Sequence, residues 1–307
     1  MPNVVSIGSV VDLHMTGPAN HMGLLFLSLG TACIPYGNTG TVCTDLSSGA
    51  LVFTYPFTFD DQGHATFTAE VDCDPLLAGL LVYGQFITCG GKRGAKSVSN
   101  LDSTCILDGI CDGDFCTYTQ GGWGAPCSGN NPGCLRDQWF SSVFPSGAVI
   151  GDPDGIDGDA EYAALFTDAA AIEAFLPSGK KASVLTEDAT DPTETDAGVF
   201  AGQLLAARLN VSFDDYGALD ECKGRDDVKL GDLVFLANVD SDLLGWTVRD
   251  VIDLSDAAIS GVFGTDPIDL DGDNVGDVTI GDLSSALDVF NNNFDDGTQN
   301  NGNLGLP

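Results

Sequence analysis

The chain has 307 residues, a length typical of about two domains. It carries 45 acidic residues against 11 lysines and arginines, which gives a formal net charge of −34. Because contacts to nucleic-acid phosphates require basic patches, this charge argues against a nucleic-acid partner, and an anionic membrane surface would repel the chain. No apolar run approaches the roughly 18 residues of a membrane span, so we predict no membrane insertion.

The acidic excess has two interpretations that the sequence leaves open. An unbalanced charge of this size destabilises a compact fold unless salt or cations relieve the repulsion. The first interpretation is a solvated acidic surface, as in proteins adapted to high salt. The second is that some carboxylates cluster to hold hard divalent cations.

Residues 1–103 are predicted to form an antiparallel β-sandwich domain. Short apolar or alternating runs recur along this region and are separated by turn-forming residues. Two alternating runs flank the turn DDQG at 60–63, and this arrangement predicts a β-hairpin. The predicted strands are 4–11, 24–29, 50–59, 65–71 and 80–88.

Residues 104–150 are predicted to be a disulfide-rich segment that joins two domains. An even number of cysteines in a Gly-rich, acidic chain favours a disulfide framework in an oxidising compartment. The alternative is metal–thiolate ligation, but the sequence has neither CxxC pairs nor Cys/His clusters. Pairs close in sequence are suggested, namely Cys33 with Cys43, Cys73 with Cys89 and Cys127 with Cys134. The cysteines expected in disulfides are Cys33, Cys43, Cys73, Cys89, Cys105, Cys111, Cys116, Cys127, Cys134 and Cys222.

Residues 151–307 are predicted to form a mainly helical module, so the whole chain combines β and α structure. Apolar residues at helical spacing predict one helix over 160–176, ending before Pro177. A second helix is predicted within 198–213, leading into a strand. A weak repeat with an offset of 32 residues places Thr247 and Thr279 three residues before an aspartate. This spacing predicts that each threonine caps the start of a helix.

The strongest local pattern is the run DLDGDNVGDVTIGD at 269–282. Asp269, Asp271 and Asp273 alternate along it, and a predicted helix follows its last acid, Asp282. The run resembles the calcium loops of EF-hand and dockerin modules, which place acids at positions 1, 3 and 5. The resemblance implies a calcium site that also draws on Asp277 and Asp282. The final acid and the turn glycine, Gly276, both stand two positions late, and an insertion of Asn274-Val275 accounts for both shifts.

A second acidic run precedes the predicted helix at 160–176. Flexible, oxygen-rich loops suit Ca²⁺, which takes six to eight ligands, better than Mg²⁺. The alternative for both runs is an ordinary acidic turn or linker that needs no ion. The candidate ligands in this second run are Asp152, Asp154, Asp157, Asp159 and Glu161.

Several segments resemble secreted bacterial surface proteins that have no assigned function. The resemblance lies in TYTQGGWGAPCSGNNPG at 117–133, VFPSG at 143–147, AFLPSG at 174–179 and AGVFAGQLLAARLNVSF at 197–213. It implies an exported surface or matrix protein and supplies no active site.

The sequence predicts a structural protein rather than an enzyme. Its three histidines, His14, His21 and His64, have no metal-binding or catalytic spacing, and no nucleophile elbow or phosphate loop occurs. We expect an extracellular or cell-surface protein, stabilised by calcium and disulfides, that forms part of a filament, surface layer or matrix. Its expected partners are copies of itself or other surface proteins.

The alternative function is a carbohydrate-binding or adhesive surface module with glycans as partners. Such a module requires exposed aromatic side chains, and the candidates are Tyr36, Tyr55, Tyr83, Trp123 and Trp139.

Overall fold

A computed structural model describes residues 5–36, 40–47, 52–90, 95–152 and 161–307, with the backbone alone at 89, 90, 95 and 96. The chain divides into two compact units, Met1–Gly109 and Ile110–Pro307. Strands dominate the first unit, whereas the α-helices of the described residues lie in the second. This confirms the predicted mixed fold class. The segment 104–150 is not a separate unit, because Phe115, Tyr118 and Trp123 belong to the core of the second unit.

The first unit is built from ten strands within its described residues. They are β1 (Val5–Ser6), β2 (Val10–Thr16), β3 (Met22–Ser28), β4 (Thr31–Pro35), β5 (Thr41–Thr44), β6 (Val52–Thr58), β7 (His64–Glu70), β8 (Leu81–Gly90), β9 (Ala95–Val98) and β10 (Asp102–Leu107).

These strands form a layered β-structure. The central sheet has the order β1–β10–β8–β3–β6, with β9 also paired to β8, and only β1 and β10 run parallel. Successive residues of β3 point to opposite faces of this sheet. Leu25 packs with Met15 and Phe59 under the β2–β7 pair, and Phe26 packs with Val42 near the β4–β5 pair. The predicted sandwich is therefore present, with a small second sheet on each face.

The predicted hairpin across 60–63 is wrong. β6 pairs with β3 and β7 pairs with β2, so the chain passes from one layer to the other at this turn. The turn 60–63 instead joins the turn between β2 and β3, through Gly17 N to Gly63 O at 2.9 Å and Asn20 N to Asp60 O at 3.0 Å. Because strand pairing depends on residues distant in sequence, the local alternation could not reveal this arrangement.

The second unit contains six α-helices and five strands within its described residues. They are α1 (Gln120–Trp123), α2 (Pro132–Val143), β11 (Ala148–Gly151), β12 (Ala163–Phe166), α3 (Ala169–Phe175), β13 (Ala189–Thr190), α4 (Val199–Tyr216), β14 (Val234–Phe235), α5 (Val248–Ile259), α6 (Ile280–Asn291) and β15 (Leu304–Gly305).

Helix α4 forms the centre of the second unit and is buried on nearly all sides. A helix that is apolar all round belongs in a core, and α4 packs against α1, α2, α5 and α6. It carries one fully buried asparagine, Asn210. The Asn210 side chain accepts hydrogen bonds from Tyr118 N at 2.9 Å and Trp123 Nε1 at 3.0 Å. It donates to Tyr118 O and to Asn291 Oδ1 of α6, both at 2.9 Å.

The predictions of helix starts from capping residues are confirmed. Thr247 and Thr279 cap α5 and α6, each in a reciprocal capping box with the aspartate three residues later. The predicted helix at 198–213 is α4, which continues to Tyr216 instead of becoming a strand. The predicted helix at 160–176 is wrong in its described first part. There β12 pairs with β11 and β13, and only α3 is helical, because sheet pairing overrides the helical propensity of Ala and Leu.

Disulfides are present in both units. Cys33 pairs with Cys43, Cys127 with Cys134 and Cys116 with Cys222, and Cys73 and Cys111 are also disulfide-bonded. Two of these pairs match the suggested ones, and the suggested pair with Cys89 involves a side chain outside the described residues. Cys105 was expected in a disulfide but is a free thiol in β10. The disulfides indicate folding in an oxidising compartment.

Tyr118 lies against the Cys116–Cys222 disulfide inside the second unit. Its hydroxyl lies 3.6 Å from Cys222 Sγ, and its ring packs edge-on against Trp123. Burial, with a smaller contribution from the Asp296 carboxylate, raises the pKa of Tyr118 to about 12. Since the folded chain holds this proton more tightly than the unfolded chain, the associated stability is lost as pH rises through this value.

None of the helices in the described part of the chain combines the length and the apolar character needed to cross a bilayer.

Removing the Cys116–Cys222 disulfide should destabilise the second unit far more than removing Cys127–Cys134. The first closes a separation of 106 residues and the second only 7. In the chain-entropy model the expected losses are about 5 and about 2 kcal/mol. Denaturant unfolding of the two Cys→Ser double variants, followed by the fluorescence of the tryptophans, would measure both. Equal losses would contradict this expectation.

Candidate metal centre

The acidic loop 269–277 is anchored at both ends by buried apolar residues. Ile268 and Val278 belong to the core of the second unit and are 3% and 0% exposed. Their backbones form a bridge, with Ile268 N donating to Val278 O at 2.7 Å. Asp277 N also donates to Ile268 O at 2.8 Å. The loop therefore leaves the core and returns to it at one point, immediately before α6.

Three carboxylates converge on the exposed side of this loop. Asp269, Asp271 and Asp273 each offer an oxygen atom, and these oxygens all lie within 4.8 Å of one another. All three side chains are exposed. Three like charges at this separation repel one another, so a divalent cation bound between them would replace repulsion with attraction.

Backbone N–H groups hold all three of these carboxylates in place, and Asp271 accepts from Asp273 N at 3.0 Å. Asp269 accepts from Gly272 N at 2.7 Å and from Asn274 N at 2.8 Å. Asp273 accepts from Val275 N at 2.7 Å. The side chains are thus positioned by the loop itself.

The conformation of Asn274 corrects the predicted two-residue insertion at 274–275. Asn274 has φ = 68°, a left-handed conformation, and it occupies the position where the resembled loops turn on a glycine. Gly276 does not have a positive φ. Asparagine tolerates the left-handed region better than most residues, so it makes this turn without glycine. The extra residues relative to an EF-hand loop consequently lie after position 6.

Asp277 and Asp282 do not join the group of three carboxylates. Asp277 accepts a hydrogen bond from Leu270 N at 2.7 Å and so braces the loop. Asp282 is the third residue of α6, and it accepts from Thr279 N at 3.0 Å and Thr279 Oγ1 at 2.5 Å. The role of Asp282 in this structure is therefore helix capping, as for Asp250 in α5.

The hydrogen bond from Gly272 N is the largest influence that lowers the pKa of the Asp269 carboxyl from its ordinary value of 3.8. A second backbone bond, from Asn274 N, acts in the same direction. The stability linked to ionised Asp269 is present above this ordinary value and is lost as pH falls through the lowered one. Because the side chain is exposed, solvent screening keeps this contribution small.

Aspartates at equivalent positions of the repeat join α5 and α6 to the central helix. Asp256 of α5 is paired with Arg208 of α4 and accepts from Gly151 N at 3.0 Å. Asp288 of α6 accepts from Gln203 of α4 at 2.7 Å. The sequence repeat thus corresponds to two capped helices, each bonded to α4. Sequence reasoning missed Arg208, Gln203 and Asn210, although polar residues within an apolar helical run are a recognisable signal.

The second acidic run is only partly described. Asp152 is buried at the end of β11, and its backbone N–H donates to Tyr162 O at 3.1 Å. Glu161 is half-buried. The predicted ligands Asp154, Asp157 and Asp159 lie outside the described residues. Of the seven predicted ligands that the structure describes, it brings together three, namely Asp269, Asp271 and Asp273.

The aromatic candidates for glycan binding differ in exposure. Trp123 is fully buried, with its Nε1 bonded to Asn210, so it cannot present a face to a sugar. Tyr55 is 37% exposed on the edge strand β6, and its ring lies 4.3 Å from that of Phe67. Residues 210–212, Asn-Val-Ser, match the N-glycosylation triplet, but the burial of Asn210 prevents its modification in the folded chain.

No family model, no curated protein and no solved structure matches the chain. The likeness to EF-hand and dockerin loops therefore rests on the residues of the loop 269–277.

Proposed function

We propose that the chain is an extracellular, calcium-stabilised structural protein that forms part of a filament, surface layer or matrix. The observation that carries the proposal is the group of three carboxylates at Asp269, Asp271 and Asp273, held on a loop whose ends are buried. The disulfides support the extracellular part of the proposal, since such bonds persist outside the reducing cytosol.

The chemistry of the loop favours calcium among common metal ions. Carboxylate and backbone oxygens are hard ligands, which suit Ca²⁺ and Mg²⁺ rather than Zn²⁺ or Cu²⁺. Mg²⁺ demands near-ideal octahedral geometry, whereas Ca²⁺ accepts the irregular arrangement that a flexible acidic loop provides. Extracellular calcium modules bind with dissociation constants of about 0.1 to 1 mM, so a site with few ligands suffices there.

The structural role is supported by the surface of the first unit. Phe53 and Tyr55 lie on one face of the edge strand β6 and are 50% and 37% exposed. Exposed apolar residues near a free sheet edge offer a surface for another protein chain. Calcium bound elsewhere in the chain would reduce the repulsion between copies that carry a net charge of −34.

Calcium should raise the melting temperature of the second unit, because an ion that binds only the folded state stabilises it by mass action. At a calcium concentration about one hundred times the dissociation constant, we expect a rise of about 5 to 10 °C over the value in chelator. Calorimetry at constant ionic strength would measure this rise. Magnesium at the same concentration should give a smaller one.

Three variants make the calcium test specific. Asp271→Asn should remove most of the calcium-dependent rise, because it removes one of the three charges. Asp282→Asn should lower the melting temperature with and without calcium, because it weakens the cap of α6, but it should keep the rise. Asp61→Asn, an exposed acid in the first unit, should change neither quantity. A full calcium-dependent rise in Asp271→Asn would remove the loop 269–277 as the binding site.

The structural role predicts calcium-dependent self-association. Sedimentation velocity of the full chain at fixed ionic strength should show larger species in calcium and smaller ones in chelator. Phe53→Ser should reduce association without changing the calcium-dependent melting rise, because it alters the exposed surface and not the loop. A chain that remains monomeric under every condition, while calcium still stabilises it, would overturn the structural role and leave the calcium site intact.

A further inference from the structure

The β2–β7 sheet and the central sheet of the first unit border a half-open cavity of about 210 Å³. Its walls come from β2 and β7 on one side and from the central sheet on the other. We call it the inter-sheet cavity, lined by Val5, Val11, Leu13, Leu27, Ala69, Val71, Val82, Gly84, Asp102, Ser103, Thr104 and Ile106.

The cavity occupies one half of an interface whose other half is well packed. In the packed half, Phe57, Phe59 and Phe86 pack edge-to-face with ring centroids 5.0 to 5.8 Å apart. Protein interiors normally reach the density of organic crystals, so both halves of one interface should be filled. In the cavity half, aliphatic side chains such as Leu13 and Leu27 remain only half-buried.

Small residues create this space. Asp102, Gly84 and Leu27 lie side by side across the central sheet. Leu27 Cδ2 would lie 3.3 Å from a Cβ atom at Gly84, so the glycine lets Leu27 lie close to the sheet and adds no side chain of its own to the cavity. On the facing sheet, Ala69 pairs with Val11 and contributes only a methyl group.

The lining determines which ligands suit the cavity. An apolar cavity of about 150 Å³ is enough to hold benzene, and this one is larger. Its walls are aliphatic, and its polar lining residues are Asp102, Ser103 and Thr104. Asp102 is exposed at this position, so it offers a carboxylate to a hydroxyl or ammonium group and repels an anionic head group.

We propose that the inter-sheet cavity binds the alkyl chain of a small neutral or cationic amphiphile, with its head group beside Asp102. The net charge of −34 acts in the same direction as Asp102, because it disfavours approach of anionic ligands. This site is independent of the loop 269–277, so the result of the binding test does not depend on whether calcium binds there.

The test uses three probes of equal chain length, 1-octanol, octylammonium and octanoate, added to the full chain below their aggregation concentrations. Methyl NMR of Leu13, Leu27 and Val82 should show saturable shifts with the first two. Octanoate should bind at least about tenfold more weakly because of Asp102. From butanol upward, affinity should rise about fourfold per methylene until the cavity is full.

Four variants complete the test. Ala69→Leu fills the cavity and should weaken octanol binding at least about tenfold, and Gly84→Val should act similarly in case the first variant folds poorly. Thr54→Leu, which adds volume at an exposed position of β6, should leave binding unchanged. Asp102→Asn should bring the affinity for octanoate close to that for octanol.

The proposal is overturned if none of the probes gives a saturable shift in the lining methyl groups. A second result would also overturn it. If the parent chain does not bind octanol and Ala69→Leu raises the melting temperature, the cavity is a packing defect that the larger side chain fills. Methyl shifts that depend on protein concentration without any probe would indicate that a second copy of the chain fills the space, and would likewise refute it.

Discussion

The side chain of Asn210 is the interaction on which the second unit depends. Three of its four hydrogen bonds hold Tyr118 and Trp123 of the cysteine-rich segment, and the fourth reaches Asn291 of α6. All of these groups are buried, so losing one partner would leave others unsatisfied at a cost of about 1 to 3 kcal/mol each. This requirement explains why a segment with few apolar runs folds as part of the helical unit. The Cys116–Cys222 disulfide joins the same segment to the chain that follows α4.

The proposed calcium loop is connected to this network of hydrogen bonds through α6. It leads directly into α6, and Asn291 near the other end of α6 donates to Gln203 of α4 at 2.9 Å. An ion that fixes the start of α6 would therefore stabilise more than its own loop. The capped helices α5 and α6 flank α4 through Asp256 and Asp288, so the two copies of the repeat share one core. Among the described residues, one group of the chain's many acids, at 269–273, could hold a metal ion.

Features governed by neighbours in sequence were predictable, and features governed by distant partners were not. The caps at Thr247 and Thr279 follow from a spacing of three residues, and the alternating aspartates at 269–273 do meet in space. The turn at 60–63 was recognised, but its strands pair with β2 and β3, which local alternation does not encode. Asp282 is predicted as a metal ligand because the same aspartate, just before a helix, is expected both for a helix cap and for the final acid of the resembled calcium loop. The inter-sheet cavity left no sequence signal, since small residues such as Ala69 and Gly84 acquire meaning only once the sheets face each other.

The central claim is that calcium at the loop 269–277 stabilises the whole second unit through α6 and Asn210. Amide hydrogen exchange of the full chain in calcium and in chelator tests it most directly. Residues that exchange only by global unfolding gain protection equal to the binding free energy, wherever they lie. We predict slower exchange in calcium across α4, α6 and residues 117–123, with the first unit unchanged. Slowing confined to the loop itself, or the same exchange rates in both conditions, would contradict the claim.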